Sequence, residues 1–171
     1  MKENYGWAGV LCCAAMAIGL SGCGTVKHSA TFAPSFNPAP ATKLAVSKPV
    51  NSTGESYDVD ITGMLEQALR NALEKSGLLE QTKTKGDLLL DTSIVGYLKG
   101  NAFKRWLLPG WGGTLLEVRC TLKSQQDGTA LGTVEALRTV SAGGGYTVGA
   151  WRTICDSLAE DVVTELRAKI K

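Results

Sequence analysis

The chain has 171 residues, with 18 Lys and Arg against 16 Asp and Glu, one histidine and a formal net charge of +2. So even a balance carries no basic excess of the kind that holds a phosphate backbone, and nucleic acid is excluded as a partner. A single histidine also leaves most nucleophilic and zinc chemistry without its usual base or ligand.

In chain order, a polar start with Lys2 leads into an uninterrupted run from Trp7 to Leu20, which ends at Leu20-Ser21-Gly22-Cys23. The pattern is that of a secretory signal, with small residues flanking a cut before Cys23. The run has fourteen residues, short of the roughly twenty that a spanning helix needs. Residues 20–23 resemble the lipobox of bacterial lipoproteins. That resemblance implies a diacylglycerol on the Cys23 thiol, a third acyl chain on its freed amine, and loss of residues 1–22. Gly24, where a retention signal would carry aspartate, implies the outer membrane, facing the periplasm. Sorting rules differ between lineages, so the inner membrane and the cell surface stay open. Two or three acyl chains, each contributing about 0.8 kcal/mol per buried methylene, anchor a protein stably.

Residues 24–42, GTVKHSATFAPSFNPAPAT, are rich in Pro, Ala, Ser and Thr and are expected to form a disordered tether. A coil of that length spans about 25 Å, so the domain could stand off the membrane, with His28 solvated. About 130 residues remain, enough for one domain over 43–171.

The domain should open with a strand over Lys43–Val50, where Leu44, Val46 and Val50 alternate before Asn51-Ser52-Thr53-Gly54 breaks the run. Asp58–Ser76 has helical spacing, with Ile61, Leu65, Ala68, Leu69, Ala72 and Leu73 in one stripe. Asp58 or Asp60 can cap it, Gly77 can stop it, and Glu66 and Arg70 form a surface pair. Asp87–Lys99 reads as a strand with Leu88, Leu90, Ile94 and Leu98 on one face and Leu89, Asp91, Ser93, Val95 and Tyr97 on the other. Thr114–Lys123 is a third strand, with Leu116, Val118, Cys120 and Leu122 inward and charged or hydroxyl residues outward, so one sheet face should meet solvent. Asp127-Gly128 supplies the positive φ of a hairpin turn into Ala130–Val140. After Gly143-Gly144-Gly145, a last helix is striped by Trp151, Ile154, Cys155, Leu158, Val162 and Leu166.

The order β-α-β-β-β-α predicts an α+β two-layer sandwich, a four-stranded and mainly antiparallel sheet with both helices on one face. Of the five cysteines, Cys12 and Cys13 leave with the signal and Cys23 is the lipid site. Cys120 and Cys155 both point into the core, where they either bridge, as an oxidising compartment favours, or stay as two buried thiols. Bridging needs Cα atoms within about 7 Å.

Searching for chemistry gives little. The domain over 43–171 has no histidine to serve a Ser-His-Asp or Cys-His site, and no spacing singles out a Ser-Lys pair. Asp156, Glu160 and Asp161 read as a solvated helix face. The glycines before the last helix lack the Gly-Lys-Ser/Thr of a phosphate loop. No catalytic residue, metal or cofactor is expected. The segment most in need of a partner is Ala102–Thr114, in which Phe103, Trp106, Leu107, Leu108 and Trp111 sit beside Lys104 and Arg105. These apolar residues either fold back over the open sheet face or form an exposed contact for a protein or for lipid headgroups.

The lipobox, the Pro/Ala stretch, Gly86-Asp87-Leu88-Leu89-Leu90, Arg105-Trp106-Leu107-Leu108-Pro109-Gly110, the Asp127-Gly128 turn and the glycine break together resemble an uncharacterised family of small proteobacterial lipoproteins carrying a domain of unknown function. The resemblance covers roughly residues 43 to 168 and brings no assigned activity. By analogy of fold alone, the domain is also similar to periplasmic adaptors such as activators of peptidoglycan synthases. The expected function is a non-catalytic, lipid-anchored binding or adaptor module whose partners are the membrane, through the N-terminal lipid, and a cell-envelope protein. A part of lipid-transport or secretion machinery that touches membrane is the first alternative, and a hydrolase with an unrecognised site the second.

Overall fold

Three long strands carry the architecture, and their alternation explains why. β4 (Leu88–Leu98), β5 (Thr114–Ser124) and β6 (Ala130–Val140) pair antiparallel in sequence order. Along β5, Leu116, Val118, Cys120 and Leu122 are fully buried while Arg119 between them is exposed, as a sheet with one wet face requires. The computed structural model describes residues 25–39, 42–80, 87–100, 113–140 and 148–170.

Flanking these strands are β1 (Val26–Phe32), antiparallel to β6, and β2 (Leu44–Val46) and β3 (Val50–Asn51), both parallel to β4. The sheet order is β1-β6-β5-β4-β2, with β3 continuing along the free edge of β4 beyond β2. The sheet is therefore mixed and six-stranded, not four-stranded. Two causes account for the difference. Ser47-Lys48-Pro49 splits the predicted strand 43–50, since Pro49 has no N–H to offer the ladder. The second cause lies in the stretch expected to be a tether, where Val26–Phe32 adds a strand.

The parallel edge requires a crossover, which α1 (Ile61–Lys75) provides. Asp60 caps it, its Oδ1 accepting from Gly63 N at 2.9 Å and from Thr62 Oγ1 at 2.9 Å; these bonds hold its carboxyl below the usual range. Gly77, at φ 73°, ends the helix, a conformation glycine adopts without strain. Arg70 pairs with Glu66 at 3.0 Å as expected, and also donates to Val46 O at 3.1 Å, fastening α1 to the edge strand. The last helix, α2 (Val148–Lys169), packs beside α1 and over β6, β1 and β5. Among the described residues, both helices lie on one sheet face, and none is long and apolar enough to cross a membrane.

The core is the layer between, with Ile61, Leu65, Leu69 and Leu73 of α1 and Ile154, Leu158 and Leu166 of α2 against Leu90, Ile94, Leu116 and Leu122 of the sheet. Each such side chain stabilises the fold by about 1.5–3 kcal/mol on burial. Register shifts between Ile94 and Gly96, where Val95 bulges from β4. An extra residue flips every later side chain. Tyr97, expected outward, therefore turns into the helix layer and stacks on Trp151, with ring centroids 5.3 Å apart, while Leu98, expected inward, is 57% exposed. Gly96 allows the kink, since a Cβ there would lie 2.8 Å from Glu117 Cβ.

Candidate functional site

The structural facts that bear most on function lie at one end of the sheet. Strand register places Leu98 opposite Leu115 and Leu115 opposite Thr139. Thr139 N donates to Thr25 O at 3.0 Å, and Thr25 N to Thr139 Oγ1 at 2.5 Å. One row, Thr25-Thr139-Leu115-Leu98, thus crosses four strands at a rim. Thr25, the first described residue, lies there. The segment carrying Phe103, Arg105, Trp106, Leu107, Leu108 and Trp111 also leaves and returns there, between Gly100 and Gly113. Those six residues lie outside the described ones, as do Leu20, Ser21, Gly22 and Cys23.

Under the rim, Tyr97 sits between Tyr57, with ring centroids 4.6 Å apart, and Trp151. Tyr57 Oη is buried with no hydrogen-bond partner among the described residues. Burial, with Asp58 nearby, raises the Tyr97 phenol above its ordinary pKa. Lys99 is paired with Asp58 at the same end.

Opposite the helices the sheet face is polar, and no other described element packs on it. Arg119 meets Glu135 at 2.9 Å, and Lys123 meets Asp91 at 2.5 Å. That second pair, with Ser47, keeps the Asp91 carboxyl below its usual range. At the β1–β6 side, Lys27, Ser29, Glu117, Glu135 and Leu137 line a shallow concavity of about 360 Å³. Such a face can hold a partner by side-chain contacts; no cluster of acidic, cysteine or histidine residues suited to a metal occurs among the described residues.

Of the residues weighed for chemistry, Cys120 and Cys155 are unbridged. Cys120 Sγ accepts from Thr92 Oγ1 at 3.4 Å, and burial pushes both thiols up to about 12. Each packs as a small apolar side chain in the helix–sheet core, so the bridge considered from the sequence is not formed. Asp156 and Glu160 are exposed as expected, but Asp161 is 8% exposed and accepts two bonds from Arg138, at 2.6 and 2.7 Å. His28 is not in a free tether. Its Nδ1 lies 2.6 Å from Glu165 Oε1, so β1 is tied to α2 as well as to β6.

The sequence reading missed Tyr97, Arg138 and His28. Arg138 was recoverable in principle, since it shares the inward parity of Val134 and Ala136 on β6 and needed a buried acid opposite. Tyr97 depended on the bulge.

These features define a small two-layer α+β domain with a mixed sheet, one face of which carries both helices. More particularly, the chain belongs to the family described as Domain of unknown function (DUF4410), whose model matches residues 40–144. That bears out the resemblance drawn from the sequence, although the match stops short of α2. The fold is similar to that of the PelC dodecamer from Paraburkholderia phytofirmans, at 19% identity over 84% of this chain and 97% of that one, with a TM-score of 0.60; a second PelC crystal form gives 17% and 0.59. A lipoprotein from Neisseria meningitidis, GNA1162, aligns at 13% identity over 72% of this chain and 99% of that one, with a TM-score of 0.48. Comparison with curated proteins finds no match.

Proposed function

We propose that the chain is a lipid-anchored protein of the cell envelope, held at the outer membrane facing the periplasm, that acts as a non-catalytic binding or adaptor module. The observation that carries this reading is the junction near the N-terminus, where Leu20-Ser21-Gly22-Cys23 closes an apolar run of signal length and strand β1 follows from Val26. An acylated Cys23 would join directly to an ordered domain. The binding role is supported by the polar sheet face across β1, β6, β5 and β4, on which no other described element packs, and by Phe103, Arg105, Trp106 and Trp111, a composition typical of interface hot spots, in a segment whose two ends are rooted at the rim.

Metabolic palmitate labelling tests the anchor: label should appear on the chain, vanish in Cys23→Ala, and the variant should leave the membrane pellet. In-cell crosslinking then tests the module, with envelope-protein adducts expected from the wild type and depleted in Trp106→Ala/Trp111→Ala at unchanged thermal stability. A stability collapse would instead assign those rings to the core.

A second reading, assembly of copies of this chain, draws on the dodecamer of the fold neighbour and on β1, whose outer edge pairs with no strand among the described residues. Free strand edges are natural pairing sites. Light scattering on the purified chain separates monomer from dodecamer.

A further inference from the structure

We propose that the rim formed by Thr25, Thr139, Leu115 and Leu98 rests on the lipid surface, so that the domain stands upright on the membrane with the β5–β6 hairpin pointing away. This rests on lipidation at Cys23. The argument is one of length. If residues 24–42 were a free coil, the domain would hang about 25 Å from its anchor and face any direction. Only two peptide steps separate Cys23 from Thr25, however, a reach of about 7 Å.

That short leash cannot lengthen while β1 is in place, and β1 is held along its whole length. Seven residues pair with β6, Ala33 N donates to Leu131 O at 2.8 Å, Phe32 stacks on Phe36, and His28 meets Glu165. The anchor therefore lies within that reach of Thr25, at one end of the row that closes on Leu98. That side chain is 57% exposed, and Val26, the first residue of β1, is 45% exposed, so the rim offers apolar as well as hydroxyl groups to the headgroup region. The opposite end, at Gln126, lies about eleven residues along β5, or roughly 35 Å further from the bilayer.

The full-length lipidated chain, reconstituted in phosphatidylethanolamine/phosphatidylglycerol vesicles containing a nitroxide-headgroup lipid, tests this. Fluorescent probes are placed singly at Leu98→Cys and at Gln126→Cys, both exposed positions; Cys120 and Cys155 are buried and do not compete. Several-fold stronger quenching at 98 than at 126 is expected. A twenty-residue Gly/Ser insertion between Gly24 and Thr25 should abolish the difference. Equal quenching, or stronger quenching at 126, overturns the upright orientation, and persistence of the difference in the insertion variant overturns the leash as its cause. A Cys23→Ser control run alongside separates the readings: if that chain floats with vesicles as the wild type does, anchoring itself fails, whereas dependence on Cys23 with equal quenching removes the orientation alone.

Discussion

Arg138 and Asp161 form the one ion pair, among the described residues, whose loss should be felt by the whole fold. The guanidinium makes two parallel bonds, at 2.6 and 2.7 Å, from β6 to α2, and the carboxylate beside it raises its pKa. Side-chain exposure is 27% for Arg138 and 10% for Asp161, against 55% and 50% for Arg119 and Glu135 on the open face. In Arg138→Ala the Asp161 carboxylate keeps its burial and loses its countercharge. Breaking a fully buried pair costs about 3–5 kcal/mol; since water can reach part of the arginine site, about 2–3 kcal/mol is expected here. At roughly 2–4 °C per kcal/mol for a chain of this size, Tm should fall by about 5–10 °C. Arg119→Ala should cost under about 1 kcal/mol. Replacing both partners, as Arg138→Met with Asp161→Leu, should recover most of the loss, because no charge is then left buried alone. Urea denaturation followed by circular dichroism measures all three. If Arg138→Ala is no worse than Arg119→Ala, or the double variant is worse than the single, the pair does not join the layers as argued.

The buried thiols give a second prediction: a thiol reagent at pH 8 should leave Cys120 and Cys155 untouched in the native chain and modify both after unfolding without reductant, whereas a bridge would block reaction in both states. Gly132 faces the Phe32 ring, and a Cβ there would lie 2.4 Å from Phe32 Cδ1. Gly132→Ala should therefore cost about 1–3 kcal/mol, with amide exchange rising first in Val26–Phe32; uniform exchange across the sheet would count against it. In acid, Asp91 is held below the ordinary carboxylate range by Lys123 and Ser47, and Asp127 falls to about 2 through Ser124 and Thr129. A depressed carboxylate stabilises the fold above its unfolded pKa near 4 and loses that contribution as pH drops through its folded value. Stability should decline from about pH 4 downwards, with a shallower slope in Asp91→Asn; an unchanged slope would show that the pair contributes nothing.

Legibility in the sequence followed the strength of periodicity. β5, with four apolar residues at strict spacing and charges between, was readable to within a residue at its C-terminal end, and the stripes of α1 and α2 survived because each helix buries one face. β4 was readable in extent but only half in facing. Its alternation continues on paper through Val95, and only pairing with β5 shows that this residue is extra; Gly96 was the local hint, because a glycine inside a strand marks a bulge or a close approach. The pairing of Arg138 with Asp161 was hidden for a related reason. Arg138 shares the inward parity of Val134 and Ala136, but Asp161 reads as surface beside Glu160, and only the helix-to-sheet docking makes their burial mutual.

β1 shows what local reading lacks. In Val26-Lys27-His28-Ser29-Ala30-Thr31-Phe32 the inward set Val26, His28, Ala30 and Phe32 is interrupted by an imidazole and includes a bare methyl, so the apolar contrast that marks a strand is diluted, and the prolines that follow suggest a linker. Burial confirms the weakness: most of the strand is exposed and no residue of it is fully buried. Its order comes from outside itself, from the open edge of β6, from Glu165 on α2 and from the space that Gly132 leaves for Phe32. A segment stabilised by its neighbours is invisible to propensity, yet this one fixes how far from Cys23 the domain can sit. In the proposed upright orientation the least strand-like stretch of the domain would govern its geometry on a membrane, and changes at Gly132 or Glu165 should then alter that geometry without touching the anchor.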